Sequence, residues 1–262
     1  MYGLISKVVA ESLLSLYPVF VKFIPVSLPL QMWSRFCSYI IISFLFIDHK
    51  YVFTQMFTPL GILLSVVTML HIYTSYKGFL LLNSGVSYTL FYIYPILILL
   101  LSGYSIPWIG VIACLGVWFL ASTSTADSYP YEGVLMIGLA ALTEAIIYFI
   151  IKRLPTKNSW NHVFMSYFMG ALVMTLYLQP SLDVKGDLTL SMVINGVLGL
   201  GGYLLRFYSM NHLDVFLYAL LSNIGIIMSY VYGYIWFKET ITFQQFIGTL
   251  CIILACYYSK KK

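Results

Sequence analysis

Apolar stretches of about 17–24 residues follow one another along the whole chain, and the breaks between them are short. A helix needs about 20 residues to cross the hydrocarbon core of a bilayer. Lipid offers the backbone no hydrogen bonds, so such stretches fold as helices that satisfy their own amides and carbonyls. Ten of them are read, at about 3–24, 31–47, 60–82, 85–102, 106–122, 131–152, 161–178, 191–209, 213–236 and 242–258. Pro25 and Pro29 bracket the first turn, Asp48-His49-Lys50 ends the second stretch, and Ser102-Gly103 with Pro107 makes a tight corner. The polar run from Ser122 to Tyr131, Lys152-Arg153-Leu154-Pro155, and the run from Gln179 to Asp187 close others. Ten helices use most of the 262 residues and leave no room for a soluble domain.

Composition agrees. Only 9% of residues are charged and 61% are apolar, against about 25% charged in a soluble domain. The lipid bilayer is therefore the expected surrounding. A net charge of +5, scattered along the chain, is no footprint for nucleic acid. Placing the amino terminus in the cytoplasm puts nine Lys and Arg residues on that side, Lys50, Lys152, Arg153, Lys157 and the C-terminal lysines among them. Five, including Lys22, Lys185 and Lys238, fall on the other. The bias predicts both termini in the cytoplasm.

The chain also repeats itself. Phe36-Cys37-Ser38-Tyr39 returns as Phe164-Met165-Ser166-Tyr167 at an offset of 128 residues. Lys22-Phe23-Ile24-Pro25 returns as Lys152-Arg153-Leu154-Pro155 at 130, and Lys77 matches Arg206 at 129. Ile109-Gly110 returns as Ile247-Gly248 at 138, after a longer corner. Five spans per copy is an odd number, so the second copy enters the bilayer from the opposite face. The predicted fold is all-α and integral to the membrane, with ten transmembrane helices as two inverted five-helix repeats, residues 1–126 and 127–262. Two such copies can exchange conformations and open a central site to one side and then the other, as a small-molecule carrier requires.

Several motifs resemble one family. Lys22, Pro29 and Arg35-Phe36 carry part of the likeness, and Tyr76-Lys77-Gly78, Ser87 and Tyr94-Pro95-Ile96 another part. The ending Trp236-Phe237-Lys238-Glu239-Thr240-Ile241-Thr242, with Gln245 and Ile247-Gly248, is similar to the last corner of EamA-type proteins of the drug/metabolite transporter superfamily. The resemblance implies a secondary carrier or exchanger with a cavity lined by both repeats. The sequence departs from the pattern twice. Gly103-Tyr104-Ser105 stands where an acidic corner residue is expected, and Asn223-Ile224-Gly225 stands where a proline is expected.

Charges inside spans are costly unless paired or hydrated, so each is a functional candidate. Glu144 lies deep in the sixth stretch, where a carboxyl can accept a coupling proton, bind a substrate amine, or pair with Arg35 or Lys77. Lys7 and Glu11, four apart, share a helix face and can pair; Glu11, the deeper, is a candidate for the cavity. Arg35 reads as an interface anchor at the start of its helix. Lys77 and Arg206, related by the repeat, suit an anionic substrate or a gate, or snorkel to the headgroups. His71, Tyr73 and Ser75, the pair Tyr88 and Tyr92, and Tyr218 with Ser222 and Asn223 are the neutral polar residues expected to line a hydrated cavity.

No chemistry of bond-making is written in the sequence. Cys37, Cys114, Cys251 and Cys256 lie in apolar runs and read as small buried hydrophobes. His49, His162 and His212 are read as loop residues, and His212 with Asp214 is a lone H-x-D. There is no H-E-x-x-H, glycine-rich phosphate loop or Cys/His cluster. The expectation is no metal, no cofactor and no enzyme, with a small-molecule substrate driven by a substrate or proton gradient. A membrane-embedded enzyme and a channel are the alternatives, and neither accounts for the repeat.

Overall fold

Proline and capping residues set where the helices begin. The computed structural model describes residues 2–103, 107–122, 130–154, 156, 158–178 and 187–258. Every regular element among them is helical. In chain order they are α1 (Tyr2–Phe23), α2 (Leu28–Ser43), α3 (His49–Gln55), α4 (Pro59–Leu81) and α5 (Ser84–Leu101). There follow α6 (Pro107–Ser122), α7 (Pro130–Arg153), α8 (Ser159–Leu178) and α9 (Asp187–His212). The last two are α10 (Val215–Phe237) and α11 (Phe243–Tyr258). Seven of them, α1, α4, α5, α7, α8, α9 and α10, are long and apolar enough to cross a membrane. The other long ones, α2, α6 and α11, have 16 residues each.

Thr58 caps α4 through its hydroxyl, which accepts from the Gly61 amide at 3.3 Å, and Pro59 fills the first turn, where its missing amide costs nothing. Asp214 does the same for α10, accepting from Leu217 N at 2.9 Å. Pro29 sits in the first turn of α2. The helix therefore begins at Leu28, before the expected start at 31, and Arg35 falls at its middle rather than its end. The short α3, capped by Asp48, was not expected.

Three helices are interrupted, each where polar residues face inward. Pro18 breaks the bonding of α1 near Tyr17. The other breaks form a matched pair: α5 is interrupted after Ser84–Phe91 and α10 after Val215–Ser222, each an eight-residue segment. Asn223, in the place expected of a proline, thus breaks α10 without one. Gly225 permits the close crossing there, since a Cβ on it would lie 2.3 Å from the Tyr92 hydroxyl. A π-helical turn, Asn195–Gly199, swells the middle of α9.

The packing joins the two halves reciprocally. α1 packs on α9 and α4 packs on α7; α2 packs on α8, α5 on α10, and α6 on α11. The first helix of each half thus lies on the third of the other, and the remaining three lie on their own counterparts. The helix ends sort into two groups. Lys22, Ser84 and Glu239 meet in one. In the other, Asp48 N donates to Asn161, Asn158 to the Phe46 carbonyl, and Lys152 to the Met210 carbonyl. Large apolar side chains such as Ile41, Leu45, Leu139, Leu172 and Val231 face outward, as a lipid-facing surface requires. Cys114, expected to be buried, is exposed on that surface, while Cys256 is buried.

Pro155, Lys157, Gln179 to Gly186, Tyr104, Ser105, the 126/127 division and the C-terminal lysines fall outside the described residues.

Candidate functional site

Two basic residues organise the interior. The first is Arg206 of α9, fully enclosed. Its Nε and Nη2 straddle the carboxylate of Glu11, 3.3 Å from Oε1 and 3.4 Å from Oε2, and its Nη1 donates to Glu144 Oε1 at 2.7 Å. One planar guanidinium therefore bridges a carboxylate of α1 to a carboxylate of α7, using the fork geometry that lysine lacks. Lys7 donates to Glu11 from one turn earlier, and its ammonium lies 3.5 Å from the Tyr218 ring centroid. Tyr92, at the break in α5, donates to the other Glu11 oxygen. The Tyr94 hydroxyl accepts from Arg206 Nη2 at 2.9 Å and lies 3.0 Å from Ser222 Oγ at the break in α10. An isolated charge here would cost several kcal/mol; the two cations and two carboxylates meet that cost jointly.

His71 closes the cluster from α4. Its Nδ1 lies 3.1 Å from the Ala140 carbonyl, which can only accept, so this contact assigns the ring hydrogen to Nδ1. Nε2 then faces Glu144 Oε2 at 3.4 Å. Neither atom carries a hydrogen when the ring is neutral and the carboxylate ionised, and Oε2 has no hydrogen-bond donor. One added proton on either atom turns two opposed lone pairs into a hydrogen bond.

The second basic residue is Arg35 of α2, buried among five tyrosines from five helices. Its guanidinium carbon lies 4.4 Å from the ring of Tyr17, 4.9 Å from Tyr203, 5.4 Å from Tyr39 and from Tyr76, and 5.7 Å from Tyr167. It donates to the hydroxyls of Tyr76 at 3.3 Å and Tyr167 at 3.1 Å. Asn195, turned inward by the π-helical turn, accepts from Tyr17 at 2.9 Å and Tyr76 at 3.4 Å. Gly199 leaves room for the ring; a Cβ there would lie 1.8 Å from the Tyr17 hydroxyl. Tyr203 belongs to both groups, 5.8 Å from Arg206 as well. A cavity of about 20 Å³, room for about one water, is lined by Arg35, His71, Tyr88, Tyr203 and Arg206. A larger cavity of about 630 Å³ lies between α10 and α11, lined mostly by apolar side chains and sharing no lining residue with the small one.

Of the residues singled out in the sequence, Glu11, Glu144, Arg206, His71, Tyr92 and Tyr218 share the first group, and Tyr88 lines the small cavity. Asn223 is buried at the break of α10, its amide donating to the Leu220 carbonyl. Lys77 stands apart. It pairs with Glu132 at 3.5 Å, and the two are 34% and 41% exposed. Four expectations need correcting. Glu144 pairs with Arg206 rather than Arg35 or Lys77. Arg35 is no interface anchor. Tyr73 is exposed. His162 is no loop residue; it is buried within α8 with neither ring nitrogen hydrogen-bonded among the described residues. Tyr17, Tyr39, Tyr94, Tyr167, Tyr203 and Asn195 are not among the site candidates read from the sequence, although Tyr39 and Tyr167 end the two copies of one repeat motif and Tyr94 opens a motif of the family resemblance.

Apolar helices around a core of buried, mostly paired charges define an integral multi-pass membrane protein. Residues 131–259 match the model of the EamA-like transporter family. The match falls in the second half of the chain, where the closing motif that carries the resemblance also lies. No curated protein matches the chain. Among the solved structures that match, one crystal structure of a protein aligns over 97% of this chain and 93% of its own, at a TM-score of 0.61 and 16% identity. At that identity the likeness is one of fold.

Proposed function

We propose that the protein is a secondary carrier or exchanger that moves a small polar metabolite by alternating access. Its ten spanning helices would form two inverted repeats, residues 1–126 and 127–262, with both termini cytoplasmic. The observation that carries this reading is the Glu11–Arg206–Glu144 bridge, assembled from α1, α7 and α9 and flanked by the breaks of α5 and α10. Broken helices beside a charged site midway between repeats are how such carriers bind cargo. The reciprocal packing of the halves is the pattern a two-fold relation produces, and the two groups of helix ends agree with the alternation the charge bias predicts. The polar residues nearest an enzyme-like pair are already occupied: Asp214 caps α10, and His212 stacks on Tyr208 at 4.0 Å.

The His71–Glu144 contact gives this carrier a place for a coupling proton. The test is counterflow in proteoliposomes, screened with a labelled metabolite panel. Saturable exchange that accelerates when unlabelled substrate is inside supports a carrier; linear, non-saturating flux would refute it. Within an active preparation, Glu144→Gln should abolish uptake driven by a proton gradient and leave exchange intact, since Arg206 keeps Glu11 as partner. Unchanged proton-driven uptake would remove Glu144 from coupling.

A further inference from the structure

The buried charges of the described interior do not cancel. The cations are Lys7, Arg35 and Arg206, and the carboxylates are Glu11 and Glu144. Arg206 and Lys7 are matched by the two carboxylates, which leaves Arg35. No carboxylate lies within ion-pair distance of it among the described residues. Its partners are neutral hydroxyls and ring faces, and its Nε hydrogen has no acceptor. A guanidinium carries five N–H bonds in a fixed fork, and only two are engaged here. Tyrosine faces offset part of a cation's desolvation; they do not neutralise it.

We propose that Arg35 is the anchor for a small organic oxyanion with one net negative charge, which is the cargo of this carrier. The inference deepens the carrier reading and rests on it. An oxyanion is the group that engages an Nε–H and an Nη–H side by side. A single negative charge brings the interior to neutrality, whereas an amine or quaternary ammonium would add to an existing excess and find both carboxylates taken. The small cavity leads from Arg35 to His71 and Arg206, so an anion entering there meets the proton site as well. At about 20 Å³ it must widen to admit a metabolite, and widening of a central cavity is what a change of access state supplies.

The test uses the full-length protein in lipid nanodiscs, titrated with sodium lactate, sodium benzoate, dimethyl phosphate, benzylamine and benzyl alcohol while its melting temperature is followed. Benzoate, benzylamine and benzyl alcohol share a shape and differ in charge; dimethyl phosphate separates phosphate from carboxylate recognition. At least one anion should give a saturable rise, with benzylamine and benzyl alcohol silent. Arg35→Gln should weaken the anion roughly tenfold to hundredfold, the value of a charge-assisted hydrogen bond, with Arg35→Lys intermediate and Lys77→Gln unchanged. If Arg35→Gln does not fold, the wild-type panel and Arg35→Lys decide. Stabilisation by benzylamine alone, by no anion, or by anions equally in Arg35→Gln overturns the proposal. Anion binding without counterflow would keep the site and sink the carrier; counterflow of an amine would keep the carrier and sink the site.

Discussion

Arg206 and Arg35 are both buried at the centre of the molecule, and they are housed in opposite ways. Arg206 sits between two carboxylates and makes four donor contacts to Glu11, Glu144 and Tyr94. Arg35 sits among tyrosines, where none of its contacts carries a formal charge. Breaking a buried ion pair strands its partner, whereas removing a charge that has no partner strands nothing. Arg206 is therefore held within the architecture of the site, while Arg35 is the cation that the proposed anion would neutralise. The comparison can be broken most directly by Arg206→Gln, which leaves Glu11 and Glu144 with Lys7 alone. A loss of about 3–5 kcal/mol is expected, read as a collapse of melting temperature or yield, and Arg206→Gln combined with Glu144→Gln should recover part of it. Arg35→Gln should melt at or near the wild-type temperature. Equal losses from the two single variants would show that the tyrosine ring needs its cation as much as the carboxylates need theirs.

The same pair shows what the sequence makes legible. Apolar runs declare helices, and a charge inside one declares itself, so Glu144, Glu11 and Arg206 could be named from their positions. Arg35 reads as a helix-end residue in the sequence because the apolar pattern begins at 31, three residues after the helix itself. Pro29 looked like a terminator, yet a proline in the first turn starts a helix as readily as it stops one. The tyrosine ring was illegible for a different reason. Its members come from five helices, and with 23 tyrosines in the chain nothing local marks the five that converge. The π-helical turn that aims Asn195 has no signature in the sequence. Asn223, by contrast, was seen as a departure from the family pattern, and it keeps the break that the missing proline would have made.

The two ends of the molecule differ as the two arginines do. At one end Glu239, in the best-matched motif, accepts from the Ser84 amide at 2.8 Å and from Lys22 at 3.1 Å, tying α1, α5 and the last corner together. The carboxylate sits at the N-terminus of α5, where the helix dipole favours it. At the other end Lys152, matched to Lys22 by the sequence repeat, donates to the Met210 carbonyl and lies 5.8 Å from the Tyr148 ring, with no carboxylate partner among the described residues. Glu239→Gln should loosen the first end alone. The pair is part-exposed and worth about 1 kcal/mol, so roughly a fivefold rise in accessibility is expected. Labelling of Ser87→Cys by an impermeant maleimide, in a background free of native cysteines, measures it. No change would mean that apolar packing closes that end.

The smallest effect is expected at Lys77, where the repeat and the structure pull apart. The offset of 129 residues makes Lys77 the mate of Arg206, and on symmetry alone both should face the substrate. Yet Lys77 lies at the end of α4 beside Glu132, the pair 3.5 Å apart and more than a third exposed on average. An exposed pair of this kind contributes about 0–1 kcal/mol. Lys77→Ala should therefore leave melting temperature nearly unchanged and transport within roughly twofold of wild type. The partner variant Glu132→Ala should behave alike, because each removes the same weak contact. A loss of transport with Lys77→Ala but not with Glu132→Ala would carry a different meaning. The ammonium would then be acting apart from its surface partner, and would have to reach the substrate path in the access state opposite to the one described here. That outcome would restore the symmetry of the two cations and make Arg35 one of three anion-facing charges rather than the single anchor.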